Sequence, residues 1–365
     1  MPSQAAQRQG RPTNVVDAGG AAVRVARPET QAQPDAFVRE ERPDLGVPLL
    51  EELRDGRTQA VHNGHAVLLD RDGHIDHQWG HGDEKAYWRS AAKPLQAVPF
   101  IETGAFESLG LDDSHLAIAC ASHNGEAIHL QRARGVLAAA GLRESDLACG
   151  GHEPMGFATH PDLCGPRPNG GWTAIHNNCS GKHAAMLATA KHNGWPTQGY
   201  LDPEHPLQLA IRRVVGEATQ EPVVWGTDGC SAPTFWSSLT GMARAFQWLH
   251  RREAGRRIFD AMTMHPQLIA GTGMWDTAFL GAGQGRFVGK VGAAGLYVAL
   301  DRKTGEAFAC KLASGSSVAR DQTAAHLALD SGWLDADAQV ALAKFLAPVI
   351  TTWRGVPVGS VRSFV

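Results

Sequence analysis

"GRFVGKVGAAGLYVALDRKTGEAFACKLA", residues 285–313, has the apolar, β-branched texture of strands, with a turn at Lys303–Gly305. The same texture opens the ordered part of the chain. From Val47, "VPLLEELRDG" (47–56) and "GHAVLLDRDGHIDHQWG" (64–80) set apolar runs between Asp-Gly and Asn-Gly pairs, the pattern of antiparallel strands joined by tight turns, so two or three strands start the fold. Between these ends the periodicity changes. "EAIHLQRARGVLAAAGL" (126–142) repeats apolar residues every three or four positions and closes at Gly141, and similar patterns predict helices over 180–193, 206–217, 234–252 and 255–265. "DQTAAHLALDSGWL" (321–334) and "DADAQVALAKFLAPVI" (335–350) read as closing helices. Strands at both ends with helices between predict an α+β domain, its antiparallel sheet assembled from N- and C-terminal strands and packed with helices.

Composition bounds the function. With 365 residues, 43% of them hydrophobic, the chain has enough apolar material for one large core or two modest ones. A formal net charge of −3 supplies no basic field for a phosphate backbone, and nucleic acid is excluded as an expected partner. No stretch approaches the ~20 apolar residues of a membrane helix and no apolar block marks a secretory signal, so no membrane partner and a cytoplasmic location are expected. Six cysteines scattered through so long a chain are read as reduced. Residues 1–45, rich in Gln, Arg, Ala and Pro, read as a flexible N-terminal extension, and residues 46–365 as a single domain.

Three short boxes carry the chemistry. "RSAAKPLQ" (89–96) sets Ser90 and Lys93 three apart where a helix begins, a spacing that lets a neutral lysine amine take the proton of a serine hydroxyl. "CASHNGE" (120–126) brings Ser122, His123 and Asn124, and "FVGKVGAAG" (287–295) brings Lys290 two residues before Gly292. Each is weak alone. In this order they form the S-x-x-K, S-x-N and K-x-G series of serine acyl-transfer enzymes. One serine attacks and a second relays protons, a buried Lys93 or Lys290 acts as base, and Asn124 with backbone N–H groups binds the developing oxyanion.

A fourth stretch points to a metal. In "HNNCSGKHAAMLATA" (176–190), Cys179, Lys182 and His183 stand at i, i+3 and i+4 on one helix face, and "WGTDGCSAP" (225–233) adds Cys230 with Asp228 two residues before it. Two thiols and a nitrogen donor suit zinc; by spacing alone the nitrogen is that of His183.

Together with "GTGMWDT" (271–277), these boxes resemble those of an L-asparaginase family that contains zinc and whose fold is related to serine β-lactamases and glutaminases. The resemblance runs from about residue 47 to 320. It implies catalytic pairs Ser90–Lys93 and Ser122–Lys290 with Ser90 as nucleophile, with Lys311 on the following strand as the competitor for Lys290. It implies a zinc ion on Cys179, Lys182 and Cys230 rather than His183, with His183 and Asp228 positioning its water. His123 and Asn124 then line the substrate pocket, and Arg89 pairs with the α-carboxylate of an amino acid. The sequence departs from the family pattern near Ala294, where an acidic residue is expected, and at Ser314, where aspartate is. The implied activity is hydrolysis of L-asparagine to L-aspartate and ammonia by a homodimer. Glutaminase or another small-amide hydrolase, and a zinc-stabilised amino-acid-binding protein without activity, are the alternatives.

Overall fold

The computed structural model describes residues 44–365, so nearly all of the expected 1–45 extension lies outside the described residues. Eleven strands are present among them: β1 (Val47–Arg54), β2 (Arg57–Leu69), β3 (Ile75–Trp79), β4 (Lys85–Tyr87), β5 (Val224–Thr227), β6 (Pro233–Ser238), β7 (Phe287–Gly292), β8 (Leu296–Asp301), β9 (Ala307–Leu312), β10 (Ile350–Thr351) and β11 (Pro357–Ser363). The main sheet runs β10-β11-β1-β2-β9-β8-β7, with β3 also paired to β2; β4, β6 and β5 form a second, small sheet. Every pairing is antiparallel. The expected α+β architecture is therefore present, with early and late strands side by side at the β2–β9 junction.

The continuous apolar runs of β8 and β9 have a physical reason: both faces of the sheet are covered. Val298, Leu300, Ala307 and Ala309 face a large core shared with the helices between residues 93 and 264, while Tyr297, Ala299, Phe308 and Cys310 face a smaller one under the helices Trp275–Gly283 and Ser317–Asp330. A strand buried on both sides has no polar face to alternate with.

Four sequence expectations change. The helix over 234–252 begins as strand β6, and only Leu239–Arg251 is helical, because Ser238 caps the helix by accepting the Gly241 N–H. Asn63-Gly64 lies inside β2 rather than at a turn, where β1 shows a register shift opposite. The helix over 335–350 breaks into Ala336–Ala341 and Ala343–Leu346. The strands β10 and β11 follow, the first only two residues long and the second interrupted by Pro357 and Gly359, so neither gave a periodic signal.

Candidate active site

The first wall is the chain after β4. Trp88 is buried, its backbone N–H donating to Phe235 O at 2.9 Å and its indole to Ser237 Oγ at 3.0 Å. Arg89 then adopts a left-handed conformation, φ +48°, costly for a side chain with a Cβ. Two contacts hold it there: its N–H donates to Thr234 Oγ1 at 3.0 Å and its guanidinium pairs with Asp228. This turn launches Ser90, half-buried, into a 3₁₀ turn (Arg89–Ala92) that runs into the short helix Lys93–Gln96, begun by Pro94. Gly292 closes on the same turn; a Cβ there would lie 2.7 Å from Trp88 O, so only glycine lets β7 end against the serine.

Lys93 is fully buried. Its Nζ donates to Ala121 O, lies 2.9 Å from Ser122 Oγ and 3.5 Å from Asn178 O. The hydrogen bond is therefore to Ser122 and not to Ser90, so the S-x-x-K amine serves the serine of the second box. That box, an extended segment after the helix Asp113–Ala119, is pinned through backbone bonds from Ser122 to Ile269, His123 to Asn178 and Asn124 to Ala270. His123 bonds Ser180 Oγ at 2.9 Å through Nε2 and stacks on His129, ring centroids 5.1 Å apart. Burial first, then the neighbouring His129 and Lys93, hold His123 well below the usual histidine range, and it is neutral. Asn124 sits against Gly271, where φ is +112° and a Cβ would meet Asn124 Oδ1 at 2.0 Å.

Lys290, on β7, is also fully buried. Its Nζ lies 2.6 Å from Asp276 Oδ2 and 3.4 Å from Val291 O, so its recorded partner is a carboxylate rather than Ser122. Burial, with Lys93 and Arg320 nearby, lowers its pKa below the usual lysine range, against the opposing pull of Asp276. Lys311 instead donates to Leu312 O at 2.7 Å, and the charges near it are Cys310 and Glu84. Of the two competing lysines, Lys290 is the one beside Lys93. Ser314 is exposed, with its hydroxyl 3.4 Å from His62, and Ala294 occupies the β7–β8 turn with φ +59°.

The thiols converge a short way off. Cys179 precedes the helix Ser180–His192, whose first turn carries Lys182, and Lys182 Nζ lies 3.0 Å from Cys230 Sγ in the β5–β6 turn. A hydrogen bond from Cys230, with the amines of Lys93 and Lys182 adjacent, puts Cys179 well below the usual thiol range, whereas Cys230, the donor, is raised. Burial alone would lower Lys182; the thiols of Cys230 and Cys179 and the Asp228 carboxylate outweigh it and raise the amine above the ordinary lysine range. Asp228 stays ionised despite burial because Lys182 and Arg89 flank it.

This donor set fits zinc. Two thiols, a lysine amine and the nearby Asp228 carboxylate are donors that a borderline-soft dication takes once the thiols and the amine have lost their protons. No three His, Cys, Asp or Glu side chains are grouped to hold a metal among the described residues, so a site here needs Lys182. His183 is turned to other work: its Nδ1 lies 2.7 Å from Tyr200 Oη, and that hydroxyl already accepts the Ala148 N–H at 3.0 Å. This contact ties Nδ1 into the core, and Nε2 is buried without a hydrogen-bond partner among the described residues.

Sequence reasoning passed over Asp276, Tyr200 and Ser180 as functional positions. Asp276 stood in the quoted "GTGMWDT" box, and its signal is an acidic residue in the first turn of an otherwise apolar helix, Trp275–Gly283.

A family model described as L-asparaginase II matches residues 50–363. No curated protein matches the chain. Among solved structures, a β-lactamase from Mycobacterium bovis is similar at 16% identity, covering 77% of this chain and 94% of that one with a TM-score of 0.39. Mglu in its native form is similar at 12% identity, covering 76% and 66%, with a TM-score of 0.43. Both scores are too low to carry an inference.

Proposed function

The chain belongs to the L-asparaginase II family, and from that premise we propose that it hydrolyses the side-chain amide of L-asparagine to L-aspartate and ammonia through an ester on Ser90. The observation that carries this reading is the buried contact of Lys93 with Ser122, within the segment that also supplies His123 and Asn124. Lys93 Nζ donates to Ala121 O and reaches Asn178 O and Ser122 Oγ, a contact along which a proton can pass between hydroxyl and amine. As Ser90 Oγ bonds to the amide carbon, its proton passes to Ser122 Oγ, whose own proton moves to Lys93. The tetrahedral intermediate collapses with cleavage of the C–N bond, and the returning proton leaves with ammonia. Water then cleaves the ester by the same relay, releasing aspartate.

Arg89 holds the substrate α-carboxylate through the guanidinium donors that Asp228 leaves open, and Asn124 binds the side-chain oxygen. Cys179, Lys182 and Cys230 would hold a zinc ion, which when bound supplies an electrophilic contact for substrate. No described helix is long and apolar enough to cross a membrane. A cytosolic homodimer completes the proposal, to be checked by fractionation and light scattering.

The test is ammonia release from L-asparagine and L-glutamine by purified protein, with Ser90→Ala beside it. Release that prefers asparagine and vanishes in Ser90→Ala supports the reading. Equal or greater kcat/KM for glutamine moves the substrate by one methylene, worth ~1–3 kcal/mol of discrimination. Undiminished release by Ser90→Ala removes the nucleophile assignment. Thermal stabilisation by asparagine with no ammonia from either amide identifies a binding protein.

A further inference from the structure

The box "GTGMWDT" has no part in the chemistry above, yet it touches both catalytic segments. Just before it, Ile269 O and Ala270 O accept the backbone N–H groups of Ser122 and Asn124 at 2.8 Å each. Thr272 N–H donates to Glu126 Oε1 at 2.6 Å, anchoring the loop to the end of the same segment. Thr277 folds the box on itself: its hydroxyl donates to Gly271 O at 2.7 Å and accepts the Gly271 N–H at 3.0 Å. The residue this brings to the other side is Asp276. It lies against β7, an edge strand whose only ladder partner is β8, and its carboxylate accepts the otherwise unladdered Val291 N–H at 3.2 Å while meeting Lys290 Nζ at 2.6 Å. Neither side chain has any exposed surface.

We propose that Asp276 is the positioning residue for Lys290, fixing the amine on the face of β7 that looks toward Lys93 and holding it as an ammonium, a fixed positive charge for the site rather than its base. The geometry requires both halves of this. Asp276 stands in the first turn of a helix, where the N-terminal field favours negative charge, and its carboxylate takes the Val291 N–H and the Lys290 amine together. A fully buried carboxylate so held leaves its one close cation little freedom to give up its proton, because a lone buried charge costs far more than a paired one. Other groups surround the pair: Lys93 and Cys120 press on Lys290 from the large core and Arg320 and Asp321 from beyond the sheet, while Tyr297 lies near Asp276. Of these the cations oppose its charge, and Asp276 is the contact that preserves it. Two neighbouring buried lysines thus take different duties, the arrangement by which a site separates acid from base. The catalytic consequence, stabilising the negative charge that develops on the attacked carbonyl, rests on the amidohydrolase reading; the state of Lys290 does not.

The experiment uses the full chain with lysines labelled at ¹³Cε, whose shift reports amine protonation, the Lys290 signal being assigned by its loss in Lys290→Gln. In the unmodified chain Lys290 is expected to stay an ammonium from roughly pH 6 to 9, inside the usual lysine limit. In Asp276→Asn its titration should move down by at least about one pH unit, a tenfold change in the protonation constant, and Asp276→Glu should move it back. Activity follows: the alkaline limb of the kcat/KM profile shifts to lower pH in Asp276→Asn, with kcat falling more than KM rises. A purely structural role would lower activity evenly across pH. An amine already neutral at about pH 7 in the unmodified chain overturns the proposal, as does an Asp276→Asn titration unchanged from it. Should Asp276→Asn not fold, the unmodified chain and Asp276→Glu decide the matter by the same signal. A folded protein that hydrolyses neither amide overturns the amidohydrolase reading, while the titration still decides the role of Asp276.

Discussion

Lys290 and Lys182 are both buried amines, and their surroundings push them in opposite directions. Lys290 faces one carboxylate but shares its space with Lys93 and Arg320, and burial prevails. Lys182 faces two thiols and Asp228, and their negative charge prevails over burial. The contrast teaches that burial lowers both amines, and that the count and sign of the neighbours decide whether the lowering stands. The Ser122 region is crowded with amines and short of anions. The Cys179 region is rich in anions, which suits a cation that arrives from outside.

The largest break in this contrast comes from Lys290→Met. It strips Asp276 of its cation without giving it water, which should cost about 3–5 kcal/mol in a urea unfolding midpoint measurement, whereas Lys182→Met, which leaves thiols able to stay protonated, should cost less. A zinc titration sharpens the other side: at a free metal concentration about 100 times its Kd, stability should rise by ~2.7 kcal/mol in the unmodified chain, with Cys230→Ser showing no rise and no metal by elemental analysis. If Cys230→Ser binds zinc as well as its parent does, the thiol region is not the site.

A third prediction concerns Asp321, which burial raises to about 7 although Arg320 pairs with it. Its folded pKa lies above the unfolded value, so the native state holds the extra proton and stability falls as pH rises between about 4 and 7. Asp321→Asn should flatten that slope, narrowing the pH 5 to pH 8 stability difference by about 1–3 kcal/mol in paired unfolding curves. The smallest effect is kinetic. In metal-free protein at neutral pH, iodoacetamide should modify Cys179, whose thiol is lowered, ahead of Cys120 and Cys310, which burial raises to about 12. Peptide mapping after a short exposure reads the order.

Much of this was legible in the chain because the relevant residues come in local boxes. The strands of 285–313 announced themselves by apolar runs, and Ser90, Lys93, Ser122 and Lys290 by spacing. What spacing does not carry is which side chain meets which across 14 or 29 residues. That Lys93 bonds Ser122 depends on the turn at Arg89, and that Lys290 meets Asp276 depends on a helix docking against a strand edge. His183 illustrates the same limit: its place one step after Lys182 marks it as a ligand, and only the fold shows its Nδ1 against Tyr200, 17 positions on.

The pairing of β1 with β11 joins Leu50 to Ser363, residues near the two ends of the described chain. For a nascent polypeptide this sets an order of events. β1 and β2 form a local hairpin early, but the outer edge of β1 has no partner until residues 357–363 have been made, so an unpaired strand edge persists while all the helices between are synthesised. The same adjacency makes the far C-terminal strand a latch on the first one, and limited proteolysis between residues 346 and 357 should loosen the beginning of the domain before its middle.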